Sequence, residues 1–317
     1  MADLAPPSQP ATASPADAII DVRDFTMRFG DTVVLDRLSF SVHRGETFGL
    51  LGSNGCGKTT TIRALLGIYT PTAGELLVQG RRYDPALHGR LAYLPEERGL
   101  YRKEKVIDVM TYFGQLKGMT RADAAAWSTG YLHRVDLASH ARTRLDKLSG
   151  GQQQKVQLGV TVMANPEILI LDEPTKGFDP VNRRLLLDIV SEHKRAGATV
   201  VMVTHQMEEV ERLCDRVLLL KDGRAEAYGT VTDVQDHYGG RMIRITYAGE
   251  LPASPDFTVE TQERNYAELS LSPDADPQRV LRQLVDAGVT LRTFEAGHTS
   301  MEEVFLRVYG ADAAKEA

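Results

Sequence analysis

The chain has 317 residues, 42% hydrophobic and 25% charged, with a formal net charge of −6. That length predicts one large and one small domain, and the composition excludes disorder throughout. Scattered basic residues on an acidic chain argue against nucleic acid as the main partner, while two cysteines, Cys56 and Cys214, make neither a disulfide framework nor a zinc cluster and fit a reducing cytosol.

Residues 1–17 are rich in Pro, Ala and Ser and read as a flexible leader, without the basic start and apolar core of a secretory signal. No apolar run approaches the ~18 residues that cross a bilayer, so at a membrane another chain must hold this one. Strands are predicted at 18–29, 47–52, 91–95, 167–172 and 199–205. Three of these are continuous apolar runs, as in strands buried on both faces of a parallel sheet. Helical stretches follow the second, fourth and fifth, giving an α/β core. Residues 98–165 read as a helical subdomain, and 216–229 as a hairpin turning at Asp222-Gly223.

The pattern changes near residue 235, so the large domain is expected at 18–234 and a small α+β domain at 235–317. Three strands are predicted there, at 241–249, 257–264 and 266–272. A helix follows, with Asp276 as N-cap and Pro277 at its first position, then a strand from Val289 to Ala296. The last helix is expected to open on a Thr299–Glu302 capping box.

The run TFGLLG leads into GSNGCGKT and then a helical segment, which is the strand–loop–helix context a phosphate-binding loop requires. Gly52, Gly55 and Gly57 let the backbone wrap so that its N–H groups reach phosphate oxygens, with Ser53, Asn54, Cys56 and Thr60 completing the cradle. Lys58 is expected at the β- and γ-phosphates of ATP, and Thr59 on Mg²⁺. Downstream, ILILDEP ends an apolar run in two carboxylates: Asp172 as a Mg²⁺ ligand and Glu173 as the base for an attacking water. The segment LSGGQQQKV puts a serine and two glycines before a helix, a second anion-binding N-terminus. Two such sites on one chain make sense if two subunits face each other and complete each other's sites.

These motifs, in order with Thr204-His205, resemble the nucleotide-binding subunit of an ABC transporter over residues 18–230. The resemblance implies a P-loop NTPase core with antiparallel β and helical subdomains, ATP and Mg²⁺ as cofactors, and ATPase activity. It puts Phe29 against adenine, where the residues alone equally allow a strand core position. It puts Ser149, Gly150, Gly151 and Gln152 on the γ-phosphate held by the opposite subunit, Asp179 at the dimer seam, and His205 on the γ-phosphate and water. His205 taken alone reads more often as a structural strand-end residue, an order that the glycine loop reverses. YLPEERGLY, HQMEEVERLCDR and the ending SMEEVFLRV are similar to exporter cassettes of the ABC-2 group, including sodium-efflux and multidrug types. The partners so implied are a second cassette, identical or not, and a membrane permease that places the chain on the cytoplasmic face.

Three departures from the family pattern stand out. Glu96 occupies the usual Q-loop glutamine position, where a carboxylate can still approach Mg²⁺ or water. Lys176 replaces the usual serine, and Phe178 the usual leucine, around the D-loop glycine. Cys56 stands where a small residue is usual; beside Lys58 and a helix N-terminus its thiol is expected to have a lowered pKa, so that alkylation would block ATP binding, the other reading being a small filler. The alternative functions are a soluble ABC ATPase, such as an iron–sulfur assembly scaffold ATPase, and a non-enzymatic ATP-gated module. The first gives residues 235–317 no role, and the intact Glu173 and His205 argue against the second.

Overall fold

The chain opens on a long hairpin, β1 (Ala18–Phe29) and β2 (Thr32–His43), in the computed structural model, which describes residues 17–84, 87, 89–97 and 99–313. The expected leader lies outside the described residues except for Asp17. Strand β2 was not expected: its alternation buries Leu35, Leu38, Phe40 and Val42 but is broken at Arg37, whose φ is 48°. A bulge of this kind twists the strand and hides its period of two. After β3 (Thr47–Leu51) and α1 (Lys58–Leu65), the chain adds β4 (Ala73–Val78) to the hairpin, giving an antiparallel sheet in the order β2-β1-β4.

A second sheet forms the core of the unit. Its strands are β3, β5 (Leu91–Leu94), β6 (Ile168–Asp172), β7 (Thr199–Val203) and the hairpin β8 (Arg216–Lys221) and β9 (Arg224–Thr230). Their order is β5-β6-β7-β3-β8-β9, parallel from β5 through β8. All five residues of β3, of β6 and of β7 are buried, which is why these segments read as unbroken apolar runs. The hairpin turns at Asp222 and Gly223, both with φ near +50 to +75° (47° and 75°), as a two-residue type I′ loop needs.

Between β5 and β6 lie α2 (Val106–Leu116), α3 (Arg121–Arg134) and α4 (Gly150–Val162), the expected helical segment. They bury Val109, Met110, Leu132, Val156 and Met163 with one face of the parallel sheet and with α5 (Pro180–Arg195). The antiparallel sheet, α1 and the other sheet face share a second apolar core around Phe25, Leu35, Phe48 and Ile62. The short helix α6 (Met207–Leu213) follows β7.

The chain divides into two compact units between Tyr228 and Gly229. The second begins with α7 (Val231–Tyr238), whose Thr230 and Asp233 form a reciprocal capping box, so the position read as a boundary at 234/235 falls inside a helix. Strands β10 (Arg241–Ala248), β11 (Phe257–Glu263), β12 (Tyr266–Leu271) and β13 (Thr290–His298) make an antiparallel sheet in the order β11-β12-β10-β13. Helix α8 (Pro277–Asp286), capped by Asp276, buries Val280 and Leu284 against Ile243, Ile245 and Leu269.

The start of α9 (Met301–Ala313) corrects the expected cap by one residue. Ser300 Oγ accepts the Glu303 N–H (3.2 Å) and Glu303 Oε2 accepts the Ser300 N–H (3.2 Å), so the box is Ser300–Glu303. Thr299 is fully buried and its hydroxyl donates to the Gly240 carbonyl (3.3 Å) instead.

Candidate functional site

Because β5, β6, β7 and β3 are neighbours and parallel, the segments that leave their C-terminal ends emerge on one edge of the sheet. Those segments carry Glu96, Asp172 with Glu173, His205, and the glycine loop with Lys58. Residues separated by up to 153 positions are thus gathered by strand order, at the place where parallel α/β sheets bind ligands.

The loop between β3 and α1 is tightly built. A Cβ on Gly52 would lie 2.5 Å from both Cys56 Sγ and the Leu220 carbonyl oxygen, so only glycine lets the backbone pass. Gly55 meets nothing within 4 Å, and its need is conformational, with φ at 77°. Gly57 is the N-cap of α1, and Thr59 and Thr60 sit half-buried in the first turn. Lys58 Nζ donates to the carbonyls of Gly52 (2.7 Å) and Ser53 (2.8 Å), curling over the loop; Asn54 stands exposed at its rim.

Cys56 corrects an expectation. Its thiol is buried, and burial pushes its pKa up, outweighing the opposing pull of the Lys58 ammonium. Cys56 is a packed side chain under Gly52, not an activated thiolate.

Asp172 ends β6, Glu173 follows it directly, and both are buried. The Tyr93 hydroxyl donates to Asp172 Oδ2 (3.2 Å). Burial pushes the Asp172 carboxyl up to about 6, with Glu96 and Glu173 adding to the rise and Tyr93 and Lys58 opposing it. Glu173 has φ of 49°, a left-handed conformation uncommon for a side chain of this size, and its N–H donates to the Val203 carbonyl (2.8 Å). That kink turns the chain sharply off the strand end. His205, largely exposed, has Nδ1 2.9 Å from Glu173 Oε2. A buried carboxylate in direct contact with an exposed imidazole can take up a proton, with the imidazole at its solvent side.

Ser149, Gly150, Gly151 and Gln152 open the 13-residue helix α4. Ser149 Oγ accepts the Gln152 N–H (3.3 Å) and Gln152 Oε1 accepts the Ser149 N–H (2.9 Å). This box orders the turn that presents the two glycines. Asp179 is the N-cap of α5 and accepts the N–H groups of Val181 and Asn182 (3.0 Å each), which holds its carboxyl below its ordinary range. Phe29 is 45% exposed, with Tyr69 edge-on at 5.4 Å, so its ring is not part of the strand core.

Several contacts were not foreseen. Tyr93 lies on β5, where its alternation suggested only a strand residue. Gln157 of α4 is buried and donates from Nε2 to the carbonyls of Pro95 and Glu97 (3.1 Å each). Glu209, buried in α6 four residues after His205, has its carboxyl pushed up by burial and lies 3.5 Å from Arg183 Nε. Lys176 Nζ donates to Glu96 Oε1 (2.6 Å), joining two of the noted departures. Only the last had a sequence signal, a lysine and a glutamate at two unusual positions; pairing needed the strand order.

A family model described as "ABC transporter" matches residues 35–176, and one described as "ATP-binding protein DrrA1-3-like, C-terminal domain" matches residues 229–309. An uncharacterised ABC transporter ATP-binding protein of Methanocaldococcus jannaschii is 49% identical over 215 residues, 68% of this chain and 79% of that protein. Nod factor export ATP-binding protein I of Ralstonia nicotianae is 33% identical over 93% of this chain and 94% of its own. A solved ATP-binding subunit of an ABC transporter superposes with a TM-score of 0.65 at 30% identity, covering 70% of this chain and 93% of the other.

Proposed function

The chain belongs to the family of ABC transporter ATP-binding subunits, ATPases built on a P-loop core, and from that membership we propose that it is the motor of an exporter whose permease is a separate chain. The observation that carries this reading is the shared sheet edge, where the Lys58 loop, Asp172, Glu173 and His205 meet. The export direction rests on the Nod factor export relative, similar over nearly the whole chain; the match of residues 229–309 gives the second unit a counterpart. No helix among the described residues is long and apolar enough to cross a membrane; in this reading the permease holds the chain there.

In this reading Phe29 stacks on adenine, and residues 52–60 wrap the phosphates with backbone N–H groups and Lys58. Among the described residues no cluster of three or more His, Cys, Asp or Glu forms a metal cage. The donors fit Mg²⁺ all the same, since that ion travels with phosphates and asks the protein for only one or two oxygen ligands. Thr59 and Asp172 supply them, and Glu96 stands nearby as a further carboxylate. Bound there, Mg²⁺ would offset negative charge on the phosphates. Glu173 accepts the proton of the attacking water, and His205 holds the water and the γ-phosphate against it. Gly150, Gly151 and the Ser149–Gln152 turn offer the first-turn N–H groups of α4 to the nucleotide of a second cassette, with Asp179 at the seam. Closure around two ATP molecules and its release on hydrolysis supply the motion that the permease uses.

The test is Glu173→Gln. It keeps ATP binding and removes nearly all turnover if Glu173 is the base; unchanged turnover ends that assignment.

A further inference from the structure

Glu96 and Lys176 stand 80 positions apart, yet strands β5 and β6 are neighbours and bring them together. Both are fixed by backbone. Gln157 holds the carbonyls on either side of Glu96, from Pro95 and Glu97. Lys176 sits in a tight turn in which its N–H donates to the Glu173 carbonyl (3.2 Å) and Phe178 N–H to that of Thr175 (3.0 Å). With side chains 60% and 43% exposed, the 2.6 Å pair of Lys176 and Glu96 contributes little to folding. Its consequence is the charge it sets. Asp172 and Glu173 already put two carboxylates at this edge, faced by Lys58, and Glu96 is close enough to act on Asp172. A third free carboxylate there would repel a polyanionic nucleotide.

We propose that Lys176 is a positioning residue that joins Glu96 into one net-neutral unit, so that the site carries a third carboxylate without losing affinity for the phosphates of ATP. This rests on the reading of the site as an ATP site. The pair stands in for a single uncharged polar side chain, the kind of group the family pattern has at position 96. Each member alone is a defect of opposite sign.

The experiment is titration of the full chain with a fluorescent trinitrophenyl-ATP in EDTA, at low and high salt, for wild type, Lys176→Ser, Glu96→Gln, the double variant and Lys176→Arg. For a unit charge near a protein surface acting on a polyanionic ligand, Lys176→Ser should weaken binding about three- to tenfold and Glu96→Gln strengthen it by a similar factor. The double variant and Lys176→Arg should return to within about twofold of wild type, and the differences should shrink at high salt. A merely structural role would move both single variants the same way. Single variants that shift together or not at all, or a double variant that adds losses, overturn the proposal. Lys58→Ala in the same assay separates the two ideas. If wild type binds and Lys58→Ala does not, failure of the charge pattern sinks the pair alone; if wild type does not bind, the ATP reading falls and the pair with it.

Discussion

Gln157, in the third turn of α4, donates a hydrogen bond from its buried side chain to the carbonyl of Pro95, at the mouth of the site (3.1 Å). The same Nε2 reaches the Glu97 carbonyl (3.1 Å), and Gln154, one turn back, reaches the Pro174 carbonyl (3.4 Å). The helix that opens on the Ser149–Gln152 turn is therefore bonded to the backbone beside Glu96 and beside Glu173. A displacement of α4 would strain the bonds to both.

Gln157→Leu keeps the volume and removes the donor. The freed carbonyls of Pro95 and Glu97 lie near solvent, so the stability cost is at the low end, about 1 kcal/mol. Turnover should fall about three- to tenfold, as the Glu96 segment loses its hold while Glu173 and Lys58 stay in place. Trp127, the sole tryptophan and part of the first unit, reports the unfolding. Turnover equal to wild type would remove Gln157 from the coupling.

Cys56 and Cys214 should both resist alkylation in the folded chain. Burial pushes both thiols up, Cys214 to about 12, so almost no thiolate exists near neutral pH. A thiol titration with Ellman's reagent should find no fast-reacting group in the native protein and two in denaturant. One fast thiol in the native state would restore the reactive Cys56 that its sequence neighbours suggest.

What the sequence revealed, and what it hid, follows range of interaction. The glycine loop, the buried central strands and the Asp222-Gly223 turn are local, and their residue types alone dictate them. Strand β2 was hidden by a bulge at Arg37, and the two readings of Cys56 stayed open until its burial favoured the filler, because charge neighbours are visible in sequence while burial is not. The Glu96–Lys176 and Gln157 contacts depend on which strands and helices are neighbours, and that is fixed by the packing of the whole sheet.

The cap of α9 gives a clean case of a one-residue error. Thr299-Ser300 offers two hydroxyls and Glu302-Glu303 two carboxylates, so either box is locally possible. Burial of Thr299 decides, since its hydroxyl is taken by Gly240. Glu303→Ala should cost about 1 kcal/mol and speed hydrogen exchange at the start of α9, while Glu302→Ala, exposed, should leave it unchanged. The reverse pattern would return the cap to Thr299.

Lys117 closes the far end of α4. Its ammonium donates to the carbonyls of Val160 (2.6 Å), Thr161 (2.8 Å) and Met163 (3.1 Å), where the helix leaves its last acceptors unpaired. Burial pushes its pKa down to about 8, against carbonyls that favour the charge. The folded pKa lies below the unfolded value of about 10.4, so between about pH 8 and 10 the unfolded chain holds a proton the folded chain has lost, and stability from this group rises with pH. Measured by urea unfolding with Trp127 fluorescence, wild type should gain about 1–3 kcal/mol over Lys117→Met across that window. At neutral pH the variant should still be the less stable, by about 1–3 kcal/mol, because three helix-end carbonyls lose their donor. A difference that stays flat or shrinks with pH would mean that the carbonyls, and not burial, set the charge of Lys117.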